Sequence, residues 1–361
     1  MRGLSAEMRD RLIVTLPIAP YAEMSVGKMT TPILGESLAK SMNCKFIMSI
    51  NLLSTYQNRE SNSFLELMKE YNINPDFYWI DKEHISELIE KVYYLINAGY
   101  IEEKIKSILL CDCGRVEIDK ENLSTINYAS SLIDNLDGKY YCKHCKKECN
   151  LHERKVMVFN SSKVNKSNMK FYPDFINKDR ITFDNTVGTN DIIISRKRST
   201  GIIIEINNNQ YNLDIDFLWE IFLSLFDNQE KIVMCCNRQL YQLYMVGMLE
   251  KCFNDNPYTI CLATPYLEYS DRQDELLGRR LSLKIYSLLV LKWAKKDNAF
   301  DESLLKYINS MNVEKKELFY NIILDEINCN NDINEDLRNV LTKKYNFQNA
   351  NMELKRRRKN V

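Results

Sequence analysis

The chain has 361 residues and a mass of 42.6 kDa, with 45% hydrophobic and 27% charged residues. That composition excludes global disorder and predicts one large or two ordinary domains. Lys+Arg and Asp+Glu both number 49, so the net charge is zero, which excludes a protein that coats nucleic acid by bulk charge. Five basic residues form one run, Lys355-Arg356-Arg357-Arg358-Lys359, so the body is mildly acidic and the tail basic. No stretch reaches the roughly 18 apolar residues of a membrane span. The segment from Met1 to Arg11 carries charge without the apolar core of a signal peptide. The eleven cysteines are odd in number and scattered. They predict thiols and metal ligands in the reducing cytoplasm rather than a disulfide framework.

Taken in chain order, the first 100 residues alternate between strand and helix patterns. Leu12 to Leu16 is an apolar run of strand length, followed by a turn-rich stretch from Pro17 to Gly27. A helix is predicted from about Thr31 to Met42, where Ile33, Leu34, Ser37, Leu38 and Met42 recur at spacings of three and four. Lys45 to Ile50 reads as a second strand, Ser63 to Tyr71 as a helix stopped before Pro75, and Phe77 to Ile80 as a third strand. Asp81 is a candidate cap for a helix from Ile85 to Asn97, which Gly99 ends. Strands alternating with helices in this way signal a parallel sheet with crossover helices.

Between about 105 and 180 the rhythm breaks, and the segment is rich in Cys, Lys and Asn. Strand patterns resume at Ile192–Ile194 and Ile202–Ile204. A helix from Phe217 to Phe226, a strand at Ile232–Met234, a helix from Leu240 to Phe253 and a strand from Tyr258 to Leu262 follow. From Ser282 onward the pattern is helical, with plausible starts near Asp301 and Asn312. No internal repeat is evident, and the polar tail after Gln348 is expected to fray.

The most specific local signal is Cys111-Asp112-Cys113-Gly114 followed, 28 residues on, by Cys142-Lys143-His144-Cys145. Zinc takes four soft ligands in tetrahedral geometry, and two short turns supply two thiolates each. Lys143, Lys146 and Lys147 favour the thiolate form. Cys149, His144 and His152 are spare ligands that could replace one of the four. The competing reading is inert cysteines that meet by chance. A closed four-thiolate site is structural rather than catalytic.

A second constellation lies at Ile13 to Lys28, where a strand, a loop and a helix start follow one another. Open α/β sheets bind nucleotides there, beyond a strand's carboxyl end and against a helix N-terminus. Gly27 allows close backbone approach, and Lys28 places a mobile positive charge beside it. There is neither a GxGxxG fingerprint nor a GxxxxGK[ST] loop. An ordinary strand-to-helix turn explains the same residues.

The strand, Pro20-Tyr21-Ala22 and Met24-Ser25-Val26-Gly27-Lys28 together resemble the signature region of methionyl-type class I aminoacyl-tRNA synthetases. Other segments follow in that family's order. Asn74 to Trp79 and Ile96 to Ile101 look like the run before the family's metal-binding insertion, and the cysteine pairs sit where its zinc knuckle does. Ile194-Ser195-Arg196 through Gly201-Ile202 resembles the segment that re-enters the catalytic fold. Asp216 to Trp219 is similar to the next strand with its pocket tryptophan, and Gly278 to Lys284 resembles a worn Lys-Met-Ser-Lys-Ser loop. The resemblance covers roughly residues 10 to 290. Within it, Ser25 and Lys28 stand at the two signature histidines, and Arg280, Leu281, Ser282 and Leu283 occupy the first four loop positions, with Lys284 next. Ser49 to Leu53 lacks the acidic residues that usually follow the second strand.

The resemblance implies a Rossmann-like α/β fold with an inserted zinc knuckle and a C-terminal helical domain. The corresponding boundaries are 1–104 and 186–285 for the two halves of the nucleotide-binding domain, 105–185 for the insertion, 286–348 for the helical domain and 349–361 for the basic tail. It implies an aminoacyl-adenylate-forming ligase that uses ATP with magnesium, holds zinc, and takes an amino acid and tRNA or another acceptor as partners. Lys28, Arg280 and Lys284 are then the expected catalytic cations. Ser25, Gly27, Lys28 and Ser282 are expected at ATP, Ala19, Tyr21 and Trp219 at the amino acid, and Cys111, Cys113, Cys142 and Cys145 at zinc. Two rivals remain. One is a catalytically degenerate paralogue that binds tRNA or a partner. The other is a zinc-dependent nucleic-acid-binding protein on an α/β scaffold.

Overall fold

The computed structural model describes residues 11–18, 29–53, 68–69, 73–122, 132–164, 170–172, 191–197, 202–226, 229–236, 239–254, 259–264, 266–267, 281–282, 284–286, 297–298, 302–327 and 356. Most of the helix expected at Ser63–Tyr71, and all of the basic run except Arg356, lie outside these residues. In chain order the elements begin with β1 (Arg11–Thr15), α1 (Thr30–Met42), β2 (Lys45–Ile50), β3 (Phe77–Ile80) and α2 (Ile85–Asn97). The middle of the chain forms β4 (Ile101–Leu110), β5 (Glu117–Asp119), β6 (Ile133–Leu136), β7 (Lys139–Cys142), β8 (Asn150–Asn160), β9 (Lys170–Tyr172) and β10 (Asp191–Ile193). Then come β11 (Ile202–Ile206), β12 (Asn209–Leu213), α3 (Ile215–Glu220), β13 (Glu230–Cys236), α4 (Leu240–Glu250) and β14 (Thr259–Thr264). The last are β15 (Tyr266–Leu267), β16 (Asp297–Asn298), α5 (Glu302–Asn309) and α6 (Val313–Ile327).

The apolar runs read from the sequence become a six-stranded sheet in the order β3-β2-β1-β13-β14-β9, with every pairing parallel. Strands covered on both faces need apolar side chains in both directions, and β1 shows why its run is continuous. Ile13 packs with Phe46, Met48 and Met234 on the face covered by α1, α5 and α6. Leu12 and Val14 pack with Val233, Leu88 and Val92 on the face covered by α2, α3 and α4. The result is three layers, helix on sheet on helix.

The second sheet is antiparallel, in the order β10-β8-β4-β5, and is dominated by the long β4–β8 ladder from Ile101–Phe159 to Leu110–Asn150. It carries the hairpin β6–β7 near its far end. Residues 170–172, from the stretch with weak periodicity, join the edge of the parallel sheet.

Helix α2 ends as its sequence predicts. Gly99 takes φ +75°, Tyr100 N–H donates to Leu95 O at 2.9 Å and Gly99 N–H donates to Ile96 O at 3.0 Å, which is a Schellman cap. Its start differs. Asp81 caps no helix; it opens a 3-10 turn, and its carboxylate accepts the N–H groups of Leu52 at 2.7 Å and Leu53 at 3.2 Å. A carboxylate buried away from water bonds the nearest orphan amides, here those of the loop after β2. The helix expected to reach Phe226 breaks at Ile221 into a 3-10 turn over Phe222–Leu225. In the C-terminal part, Asn312 accepts Lys315 N–H at 2.9 Å and caps α6, whereas 297–298 pair as strand rather than helix. Among the described residues no helix is long and apolar enough to cross a membrane.

Helix α1 lies close against β2 because Gly35 has no side chain. A Cβ there would sit 2.5 Å from Phe46 Cε2, on a ring fixed in the core. Gly35→Ala gains about 1 kcal/mol of intrinsic helix propensity. The overpacking is expected to outweigh it and leave the protein about 1–3 kcal/mol less stable in urea denaturation. Unchanged or raised stability would show that α1 does not press on β2.

Candidate active site and metal centre

The chain leaves the carboxyl end of β1 toward α1 on one face and the carboxyl end of β13 toward α4 on the other. Two adjacent parallel strands whose connections diverge leave a crevice, the place where open α/β sheets bind ligands. Its floor is held by backbone bonds: Leu16 N–H to Met234 O at 2.8 Å, Ile18 N–H to Ser49 O at 2.9 Å and Asn51 N–H to Ile18 O at 3.0 Å. Thr264 Oγ1 donates to Cys235 O at 3.1 Å and therefore accepts from Thr31 Oγ1 at 2.7 Å. That pair ties the first turn of α1 to the end of β14. Met29, at the N-cap of α1, makes no side-chain cap, so the helix's leading N–H groups are not used by its own cap.

Of the residues expected here, Ala19, Tyr21, Ser25, Gly27, Lys28 and Arg280 lie outside the described residues. Trp219 is buried in α3, and its indole N–H meets Asp216 Oδ1 at 3.3 Å. Ser282 is buried, and its hydroxyl has no hydrogen-bond partner among the described residues. Lys284 is 2% exposed, and its Nζ lies 2.5 Å from Glu36 Oε2. The expectation made Lys284 a phosphate ligand, and here its ammonium is engaged by a carboxylate inside the protein.

Glu36 was not singled out by the sequence, because four residues before Lys40 it reads as a surface pair. Helix α1 is buried on nearly every side, so Glu36 is 2% exposed. Its Oε1 accepts from Lys40 at 3.1 Å and from Asn74 N–H at 3.3 Å. Ser37 Oγ donates to Ile33 O at 2.8 Å and so accepts from the Tyr320 hydroxyl at 3.2 Å. Lys284 Nζ also lies 5.9 Å from the centre of the Tyr320 ring. Burial lowers the Lys284 pKa, and burial raises that of Tyr320 to about 12. This cluster joins α1, the segment around 284 and α6.

The four cysteines named from spacing do meet. Cys111 Sγ lies 3.3 Å from Cys145 Sγ, Cys113 Sγ lies 3.6 Å from Cys142 Sγ, and all four sulfurs fall within 4.8 Å of one another. Zinc bonded to four sulfurs at about 2.3 Å puts them about 3.8 Å apart, so the set fits. Two short turns of different size carry the pairs, with Gly114 N–H donating to Cys111 O and Lys146 N–H to Cys142 O, both at 2.8 Å. The Lys147 backbone N–H, first among several hydrogen bonds, lowers the Cys145 pKa to about 7, whereas burial raises those of Cys111 and Cys113. Cys149 is buried beside them, and burial pushes its thiol up to about 11. His144 and His152 are exposed, and neither they nor Cys149 belong to the four-sulfur set.

A polar chain links this module to the core. Glu117 on β5 accepts Arg154 Nη1 at 2.6 Å and Lys197 N–H at 2.9 Å. Arg196 donates from Nη1 to Glu117 O at 2.9 Å and from Nε to Asp214 Oδ2 at 2.5 Å. Asp214 in turn caps α3, the helix of Trp219, by accepting Asp216 N–H at 3.2 Å.

No protein-family model matches the sequence, and no curated protein matches it. Solved structures do. The fold, a parallel α/β sheet carrying an antiparallel arm with a cysteine cluster, is shared with solved aminoacyl-tRNA synthetases. The similar structures are of methionyl-tRNA synthetase from Mycobacterium tuberculosis. The complex with methionyl-adenylate matches at TM-score 0.65 and 14% identity over 87% of this chain and 71% of that one. A second methionyl-adenylate structure matches at 0.62 and 14% identity over the same shares. The free state matches at 0.60 and 15% identity, over 88% of this chain and 70% of that one.

Two outcomes follow from this geometry. Burial raises the pKa of Asp81 from 3.8 to about 6 against the pull of its backbone hydrogen bonds. The folded state therefore holds an extra proton between these values. The associated stability is full below 3.8 and is lost as pH rises through about 6. Asp81→Asn keeps an acceptor for Leu52 but does not titrate. Its stability relative to wild type is expected to rise by on the order of 2 kcal/mol from pH 4 to pH 7; parallel curves would remove the buried titration. Separately, Cys142→Ser is expected to abolish retention of a single zinc ion per chain, read by metal analysis after dialysis. Full retention would mean the four sulfurs are not the ligands.

Proposed function

We propose that the protein is an ATP-dependent ligase that activates an amino acid as its adenylate and passes it to an acceptor, tRNA or another molecule. The observation that carries this reading is the likeness over 87% of the chain to synthetases solved with methionyl-adenylate. The crevice between β1 and β13 supports it, since the expected nucleotide residues flank it in sequence. The identity of the amino acid is left to experiment.

In this reaction a carboxylate oxygen attacks the α-phosphorus of ATP. The bond from that phosphorus to the bridging oxygen breaks, and pyrophosphate leaves with the electron pair. An acceptor hydroxyl then attacks the acyl carbon, and AMP leaves. Catalysis is positioning plus neutralisation of the charge that builds on phosphorus and leaving group. Lys28 and Arg280 supply that charge in this reading. Gly27 lets the backbone approach the phosphates, and Ser25 and Ser282 donate hydroxyl hydrogen bonds. Ala19, Tyr21 and Trp219 bound the amino acid. ATP enters as its magnesium complex. Cys111, Cys113, Cys142 and Cys145 hold zinc as a structural ion that takes part in no chemical step.

A charge-assisted hydrogen bond is worth roughly 1.5–3 kcal/mol. A hydroxyl at Ser25 in place of an imidazole makes slow turnover the expectation. The competing reading is a synthetase-like protein that binds tRNA or a partner without catalysing.

Amino-acid-dependent ATP–pyrophosphate exchange on the zinc-replete full chain decides between them. Exchange with one amino acid among twenty is expected, and Lys28→Ala is expected to slow it roughly tenfold to a hundredfold. ATP or tRNA binding without exchange would overturn the ligase reading in favour of a binding protein.

A further inference from the structure

We infer that Lys284 is a positioning residue whose ion pair with Glu36 locks the 281–286 segment against the flank of α1. The inference rests on the adenylation reading above for its functional consequence, though the lock itself is a physical property. Helix α1 begins two residues after Lys28, and the described segment begins one residue after Arg280. Glu36 and Lys284 therefore join the two stretches that carry the proposed phosphate-binding cations.

Apolar packing at that junction is non-directional. Ile285 and Tyr286 lie in the same core cluster as Ile33, Leu38 and Phe319. The buried Ser282 hydroxyl contributes no hydrogen bond among the described residues. The ion pair is directional. Glu36 Oε2 meets Lys284 at 2.5 Å, while Oε1 is held by Lys40 at 3.1 Å and Asn74 N–H at 3.3 Å. The carboxylate is thus oriented from its other oxygen, which fixes where Lys284 meets it. A buried ion pair is a poor means of gaining stability, since an apolar pair of equal volume serves as well or better. Its use here fits the setting of register.

The test uses the full-length, zinc-replete chain. Glu36→Gln/Lys284→Met removes both charges together, so no uncompensated charge is left buried. Glu36→Asp, which keeps the charge but shortens its reach, serves if the double variant does not fold. Hydrogen–deuterium exchange is expected to show peptides spanning 281–286 losing about tenfold protection in the variant while β1 and β13 keep theirs. Exchange kinetics are expected to show kcat falling about a hundredfold with the amino-acid KM unchanged. Lys284→Arg is expected to recover at least a tenth of wild-type kcat. Unchanged protection at 281–286 would overturn the lock. Lost protection with wild-type kcat would overturn its role in positioning. If wild type itself shows no pyrophosphate exchange, the adenylation reading and with it the positioning role fail, and the protection measurement still decides the lock.

Discussion

Parallel strands cannot be joined by tight turns, and that constraint governs the rest of the molecule. Each crossover must travel the length of the sheet, and the helices that do so cover both faces. The faces are then closed to ligands, and only the strand ends remain. Helices α1 and α4 leave neighbouring strands toward opposite layers, so the opening falls between β1 and β13. The threonine pair at 31 and 264, the loop at 51–53 and Asp81 all sit at strand ends, where backbone groups run out of ladder partners.

The same closure explains the unusual charges. A helix sandwiched between a sheet and further helices has little solvent-facing surface. Glu36 on α1 and Lys231 on β13 are accordingly buried and matched, the latter with Glu250 at 2.5 Å. Elsewhere in the fold Asp81 bonds the backbone amide of Leu52 instead, and Glu117 combines the two, taking Lys197 N–H as well as Arg154. Charge burial is thus distributed between side-chain partners where two elements cross and backbone partners where a loop turns.

Much of this architecture was legible because its physics is local. The runs at 12–16, 45–50 and 77–80 are strands buried on both faces, and their continuous hydrophobicity states that directly. Helix α2 buries Leu88, Val92 and Leu95 on one stripe and announces its end with Gly99. The metal cluster was legible because each chelating turn is short. The long β4–β8 ladder was not. Its stretch from Glu102 to Ser107 is exposed or half-buried, so no alternation of polarity marks it. Asp81 and Glu36 were missed in their roles for a related reason: a carboxylate's partner 28 or 248 positions away leaves no trace in neighbouring residues. The break at Ile221 came from tertiary packing, which overrode a helical pattern that reads as continuous.

The inserted module departs and returns at nearly one point. Tyr100 precedes β4, Asn160 ends β8, and Asn160 N–H donates to Tyr100 O at 2.8 Å. The excursion between them is closed along its whole length by the β4–β8 ladder, with its cysteines at the far end. Glu117, beside the cysteine end of the arm, is tied back to the core through Arg196 and Asp214. The cysteine cluster is thereby held from two sides, by the ladder along β4 and β8 and by the polar chain that ends in the cap of α3.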